Sequence, residues 1–333
     1  MNHEKDRIQV SICCMTYNQE DYIAEAIDSF LKQEANFKYE ILVHDDASTD
    51  RTPLIIEQYV EKYPGVIIPI LQKENQTSKG KFVSQILHNN AHGKYIALCE
   101  GDDFFTDPSK IQRQYDYMES HPECSMCIHD AHFISEDKSI EFKSPFISKK
   151  EKNFNSVDAI RGLGVKAATN SFFYRTEFVK GNLPKYFQIA PTGDYPRVVQ
   201  LSLNGYIHYS PRKMCAHRIQ AKGSFSRDLA SSPNAKEKRK VLMTRQCAML
   251  DVFDCYTMKK YHQIIEEEKQ WEIYNLAFSN RDLDTLKREP YKTMLSQESI
   301  KRKIQFYYPN LFGAIQNVHR FGLGLAMRIK KSI

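Results

Sequence analysis

An α/β fold on a mostly parallel sheet flanked by helices, followed by an α-helical C-terminal extension, is the architecture the sequence predicts. Three observations predict it. Short apolar runs alternate with helical patterns through the first third of the chain, the mark of successive βαβ units. That alternation stops beyond Ser125, and from about Asn234 the pattern is helical to the end. At 333 residues the chain can bury a sizeable core. The division expected is a domain at 1–230 and a helical extension at 231–333.

Taken in order, residues 10–15 read as a buried strand. Ile23, Ile27, Phe30 and Leu31 fall at helical spacing and predict a helix over 21–32. A second strand spans 39–44, and Asp45 to Asp50 make a polar turn. Thr52 and Pro53 then suit the N-cap and first turn of a helix that Pro64 and Gly65 end. A third strand at 66–71, a helix at about 81–92 and a fourth strand at 95–99 complete the regular part, and Asp107-Pro108 caps a helix through Met118. Later come a strand near 126–134, a polar hairpin or loop to about 154, a strand near 171–174, a helix at 193–203 and a short strand at 206–209. Amphipathic helices near 236–260 and 261–279 follow, with a boundary around Ser296. No internal repeat is visible at periods of 20 to 50 residues.

The net charge of +6 resides in the tail: from Lys301 onward there are seven Lys/Arg and no Asp or Glu, which leaves about −1 on the rest. A neutral body argues against a nucleic-acid partner. Eight cysteines spread through apolar surroundings read as reduced thiols of a cytoplasmic protein. Cys124 and Cys127 have C-x-x-C spacing, but without a second pair they read as buried hydrophobes rather than a zinc site. The polar start, Met1 to Gln9, lacks the apolar stretch of a signal peptide, and no run of about 18 apolar residues occurs.

In an open α/β sheet ligands bind beyond the carboxyl ends of the strands. Three polar clusters lie there: Thr16-Tyr17-Asn18, Asp45-Asp46, and Glu100-Gly101-Asp102-Asp103. Carboxylates packed at one strand end repel each other unless a cation or hydrogen-bond donors balance them. A hard divalent ion, Mn²⁺ or Mg²⁺, resolves that conflict and is held by few protein carboxylates, with phosphates completing its shell. The alternative for Asp45 to Asp50 is a turn that merely caps a helix.

The motifs Cys14-Met15-Thr16-Tyr17-Asn18, Val43 to Asp50 and Gly93 to Asp103, taken together, resemble those of the family 2 glycosyltransferases, inverting enzymes of GT-A fold, and the resemblance covers residues 8 to about 225. It implies that Tyr17 packs on the donor's base, that Asp46 accepts from a uracil imide, that Asp102 holds the ribose and that Asp103 is the metal ligand, with Glu100 supporting the turn. Thr16, Asn18, Asp45 and Lys81 (or Lys79) would complete the nucleotide-sugar site. By the same resemblance, Asp194 in Gly193-Asp194-Tyr195 is the base that deprotonates an acceptor hydroxyl, alongside its reading as a helix N-cap. Ser171 and Arg175, after Thr169 and Asn170, lie where relatives line the acceptor side, with a plain structural role as the alternative. Relatives carry a late His near the metal; here Gln220 stands in its place, and an extended segment would point His217 to the opposite face. His217 and Arg218 remain diphosphate or acceptor contacts.

The activity implied is transfer from a nucleotide-diphosphate sugar, a UDP-sugar by expectation, to a saccharide or lipid-linked saccharide in surface polysaccharide or glycan assembly. Two other classes compete. A sugar-nucleotide nucleotidyltransferase needs a Gly-rich basic loop near the N-terminus, and residues 15–19 hold neither Gly nor Lys. A non-catalytic nucleotide-sugar binding protein would use the same donor site. In the tail, Leu311, Ile315, Val318 and Leu325 beside Arg320, Arg328, Lys330 and Lys331 suit peripheral contact with an anionic membrane on its inner face, against a terminal helix packed on the domain.

Overall fold

The computed structural model describes residues 7–145, 148–163 and 167–308, so the tail residues 311–331 just named lie outside the described residues. Strands β1 (Ile8–Thr16), β2 (Lys38–Asp45), β3 (Ile67–Leu71) and β4 (Tyr95–Glu100) alternate with helices α1 (Ile23–Leu31), α2 (Thr52–Lys62) and α3 (Val83–Asn90). The middle of the chain adds β5 (Phe104–Phe105), α4 (Lys110–Ser120), β6 (Cys124–Ile134), β7 (Glu141–Phe142), β8 (Lys152–Phe154), α5 (Ser156–Ile160), β9 (Phe173–Arg175), α6 (Lys185–Ile189), α7 (Asp194–Ser202) and β10 (Tyr206–Arg218). Then come α8 (Phe225–Ser231), α9 (Ala235–Tyr256), α10 (His262–Asn280), α11 (Leu283–Leu286), α12 (Tyr291–Ser296) and α13 (Ile300–Tyr307).

All ten strands join one sheet whose main order is β3-β2-β1-β4-β9-β6-β10-β5. The first four are parallel, as right-handed βαβ crossovers require. β9 runs antiparallel to both β4 and β6, and β10 runs parallel to β6. The carboxyl ends of β1, β2, β4 and β10 therefore share one edge of the sheet, which is where polar residues can gather without breaking the ladder.

Period-2 alternation sends side chains into two layers. Val10, Ile12, Ile41, Val43, Tyr95 and Ala97 pack with Ile23, Ile27 and Phe30 of α1, Ile56 of α2, and Ile111 and Met118 of α4. Cys13, Leu42, Ile96 and Leu98 pack on the other face with Leu87 of α3, Ile160 of α5, Tyr186 and Phe187 of α6, and Val198 and Val199 of α7. Met249, Leu250 and Phe253 of α9 and Ile265 of α10 belong to that same second layer. The expected division near residue 230 is thus crossed by a continuous core, whereas Tyr274, Ala277, Phe278, Leu286 and Phe306 make a small cluster of their own. Among the described residues no helix is long and apolar enough to cross a membrane.

β4 approaches β1 through Gly93, whose amide donates to Ser11 Oγ at 2.9 Å. A Cβ there would lie 2.5 Å from the Ser11 backbone nitrogen and 2.7 Å from the Val10 carbonyl carbon. Neither can move without breaking the β1 ladder. Gly93→Ala is expected to cost about 2–3 kcal/mol of stability by overpacking, read from the urea midpoint.

The largest departure from expectation is β10. A strand expected over 206–209 runs thirteen residues to Arg218. Its pairing with β6 shifts register between Tyr206 and Ile207, between Ser210 and Lys213, and between Lys213 and Ala216. Pro211 lies in the second irregularity, where the missing N–H costs the ladder nothing.

Candidate active site

The run after β4 turns sharply back on β1. Gly101 donates its N–H to the Met15 carbonyl at 2.8 Å, and a Cβ on it would lie 2.5 Å from Gln19 Oε1 and 2.7 Å from Thr16 Oγ1. Only glycine lets the turn sit that close, and Thr16 serves as its wall, bonded to Gln19 at 2.8 Å. Asp102 and Asp103 are consequently buried.

Asp103 is completely buried and held from β10. Its Oδ1 accepts the Arg218 backbone N–H at 2.8 Å, and its Oδ2 pairs with His217 Nδ1 at 2.8 Å. Ligand atoms of Glu100, Asp103 and His217 all lie within 4.8 Å of one another. His217 thus faces the site, against the alternation argument, and Glu100 stands in the cluster rather than only behind the turn. The strand ends at Arg218 and Gln220 adopts φ 56°, so the extended geometry that argument assumed does not reach Gln220, which is exposed.

Arg218 was expected to touch the diphosphate or acceptor, but its side chain is 2% exposed and engaged elsewhere. Its guanidinium donates to the Asp102 carbonyl and, at 2.5 Å, to Glu25 Oε2 on α1, between the rings of Tyr22 and Phe104 at 5.0 and 4.9 Å. It fixes the acidic turn from behind. Glu25, which also meets Lys138 at 2.5 Å, carried no sequence signal beyond its place in a helix.

The electrostatics are those of crowded carboxylates. Burial, then the Asp194, Asp103 and Asp102 charges, push Glu100 well above the usual range. Burial and Asp103 carry Asp102 to about 6. Burial works against a charged His217, yet the Asp103, Glu100 and Asp102 carboxylates outweigh it and raise the imidazole to about 9. Burial raises Asp194 as well, opposed by His217, a hydrogen bond from the Thr169 hydroxyl and Arg197. Asp194 is the first residue of α7 and Gly193 is the N-cap, with no side-chain cap bond. The helix-capping reading of Asp194 therefore does not hold, and its charge interacts with those of Glu100 and His217.

On the nucleotide side, Asp46 is buried and accepts the N–H groups of Gln76 at 2.6 Å and Thr77 at 3.0 Å. Asp45 closes its own turn by accepting from the Ser48 N–H at 3.0 Å and from the Ser48 hydroxyl. Asn18, at φ 52°, accepts the Thr49 N–H at 2.8 Å. Tyr17 leaves 42% of its surface exposed at the mouth of this loop cluster. Lys81 is exposed and bonds Gln76 Oε1 at 3.0 Å, while Lys79 pairs with Glu74 on the surface. The loops that carry Asp46 and Lys81 are thus tied to each other.

Two expected contacts lie elsewhere. Arg175 pairs with Tyr95 at the start of β4, the opposite end of the sheet, and spends its donors on the Cys124, Met118, His121 and Pro122 carbonyls and the Tyr95 hydroxyl. Ser171 is fully buried in a 3₁₀ turn, Thr169–Ser171, and its hydroxyl donates to the Ala168 carbonyl at 2.6 Å. Both are structural; of that stretch only Thr169 reaches the site.

With this geometry in place, comparison with known proteins is informative. The model of the family described as Glycosyl transferase family 2 matches residues 11–176, a span that includes Glu100 to Asp103 and stops short of Asp194 and His217. An uncharacterised protein of Mycobacterium tuberculosis is 37% identical over 214 residues, 64% of this chain; the chain spans 60% of that relative's length. Residues 1–349 of S. aureus TarS, solved in complex with UDP-GlcNAc, superpose with a TM-score of 0.58 at 16% identity, over 90% of this chain and 78% of that one. Mannosyltransferase PcManGT from Pyrobaculum calidifontis, solved with GDP-Man and Mn²⁺, gives 0.54 at 13% identity over 97% and 87%. At such identities the structural likeness is one of fold, GT-A-like with a helical C-terminal part.

Proposed function

From the match of residues 11–176 to the Glycosyl transferase family 2 model, we infer a metal-assisted, inverting glycosyltransferase that uses a nucleotide-diphosphate sugar, a UDP-sugar first among them. The observation that carries the reading is the Glu100, Asp103 and His217 cluster, whose ligand atoms lie within 4.8 Å of one another, with the Asp194 charge acting on Glu100. Two carboxylates and an imidazole fit a divalent cation such as Mn²⁺ or Mg²⁺, because the mutual repulsion that raises Glu100 is what a cation relieves. When bound, the ion supplies positive charge for the departing diphosphate.

The chain's own residues do the rest. Tyr17 offers an exposed ring to the base, and Asp102 lies within the turn that meets the ribose. Asp46 acts through the 76–77 backbone that it holds, shaping the donor loop. Asp194 takes the proton of the acceptor hydroxyl as its oxygen bonds the anomeric carbon from the face opposite the diphosphate, which leaves with the electron pair of the broken C–O bond. A carboxyl raised by burial is a better base for this than an exposed one. The acceptor we propose is a saccharide, free or lipid-linked, in surface polysaccharide or glycan assembly, met in the cytoplasm or at the inner face of the plasma membrane.

Donor binding is checked by thermal shift with UDP-, GDP- and dTDP-sugars, each with and without Mn²⁺. A matching donor at 100 times its Kd should add about 2.7 kcal/mol, and only with the metal present. If no nucleotide sugar raises the melting temperature under either condition, the donor site is misassigned.

A further inference from the structure

Away from the site, the charge of the described chain is concentrated in one stretch. Residues 222–245 hold seven Lys/Arg and two Asp/Glu, a net +5 in a body that is otherwise acidic. Three of these cations are engaged: Lys222 with Asp21 at 3.6 Å, Arg227 with Glu136 at 3.0 Å, and Arg245 with the carbonyls of Ile189 and Ala190. Lys236, Lys238, Arg239 and Lys240 have no ion-pair or hydrogen-bond partner among the described residues, and all four are exposed.

These four occupy the first two turns of α9. Further along, the helix buries Gln246, Met249, Leu250 and Phe253, but every residue from Lys236 to Val241 is exposed, so this end stands clear of the core. Cations at a helix N-terminus face the positive end of the macrodipole and repel each other, both unfavourable. Acidic residues would suit the position better, and only Glu237 is one. A local cost with no compensating partner inside the fold points to a partner outside it. Beside the cations, Phe225 leaves 59% and Val241 49% of its surface in water.

We propose that the start of α9, with Phe225 of α8, is a docking surface for an anionic lipid membrane. Charge complementarity supplies the attraction, and the exposed Phe225 and Val241 supply apolar groups that a lipid interface accepts and a polyanion in water does not. The surface adjoins the candidate active site. A Cβ on Gly223 would lie 3.6 Å from the Asn18 carbonyl oxygen, and Glu136, which receives Arg227, also bonds Tyr22 beside the loop that carries Tyr17. Docking through this face brings the mouth of the donor loops to the membrane surface. It does so independently of the basic tail after Lys301.

The experiment is co-sedimentation of the full chain with phosphatidylcholine vesicles, with and without phosphatidylglycerol, across a salt series and without donor or acceptor. Binding is expected only with the anionic lipid and should weaken as salt rises. The variant K236Q/K238Q/R239Q/K240Q should bind on the order of tenfold more weakly or worse, and Phe225→Ser with Val241→Ser several-fold more weakly. Unchanged melting temperature and unchanged nucleotide-sugar shift in both variants exclude misfolding and separate this test from that of the transfer reading. The proposal is overturned if the fourfold variant binds anionic vesicles as the parent does, if neutral vesicles bind equally well, or if the parent ignores vesicles and binds duplex DNA through the same four residues.

Discussion

Asp194→Asn is expected to lower sugar transfer by about 10²- to 10⁴-fold while the nucleotide-sugar thermal shift persists. The substitution keeps the size of the side chain and can keep the hydrogen bond from Thr169, but an amide oxygen does not accept a proton from an attacking hydroxyl. Removing the Asp194 charge also relieves Glu100, for which it is the largest charged neighbour, so metal binding should hold or strengthen. That pairing of a dead enzyme with an intact donor site separates a base from a donor contact. Transfer at the parent rate would remove Asp194 from the mechanism, and a parent protein that binds donor but never transfers would be a nucleotide-sugar binding protein. The parent's activity should fall on the acid side as Asp194 takes a proton, at a pH above the ordinary 3.8 because burial raises it.

Asp103→Asn should be the most damaging change on the metal side. It removes one carboxylate from the three-residue cluster and the charge that does most to keep His217 protonated. We expect the Mn²⁺-dependent part of the thermal shift to vanish and transfer to drop on the order of 10²-fold or more. The same site predicts a pH dependence with a definite sign. Without metal, Asp102 is raised to about 6, so its protonation favours the folded state as pH falls through 6. His217 is raised to about 9, so its stabilising charge is complete below 6.5 and is lost as pH rises through 9. Asp102 therefore lowers stability as pH rises toward 6, and His217 makes the metal-free protein lose melting temperature between pH 6.5 and 9. A cation must displace protons from His217 and Glu100, so its binding strengthens over the same range. Melting curves should therefore show a larger Mn²⁺ increment at pH 8.5 than at pH 6; an equal increment would detach the metal from this cluster.

How much of this was legible in sequence depends on whether a residue's role is set locally. β1, β2 and β4 are apolar runs that stop at carboxylates, and a buried strand with a polar end needs no tertiary information to be seen. β10 could not be read that way. Ser210-Pro211-Arg212-Lys213 looks like the end of a strand, and only pairing with β6 shows that it is a bulged passage through one. The odd-and-even count from Gln220 misjudged His217 because the strand ends at Arg218 and Gln220, at φ 56°, lies beyond the extended segment. Arg175 failed for a different reason: five acceptors from distant segments make a buried guanidinium affordable, and none of them is visible from its own neighbours. The acidic turn at Asp45 and Asp46 was correctly placed at a strand end, yet whether such carboxylates hold a ligand or hold the backbone is decided by the N–H groups of Ser48, Gln76 and Thr77.

The clasp between Asp103 and β10 has a consequence for how the protein comes into being. Its bonds join residues 114 and 115 positions apart in the chain, and the Arg218 bond to Glu25 spans 193. During synthesis the strands that bear Glu100 to Asp103 leave the ribosome long before their counterparts are made, and contacts of such long range close late. The nascent chain therefore carries an acidic turn with no imidazole and no guanidinium behind it until residue 218 has emerged. On the proposed reading, competence for metal and transfer waits for β10, so incomplete chains cut before it would carry the acidic motif without His217 and Arg218 to hold it.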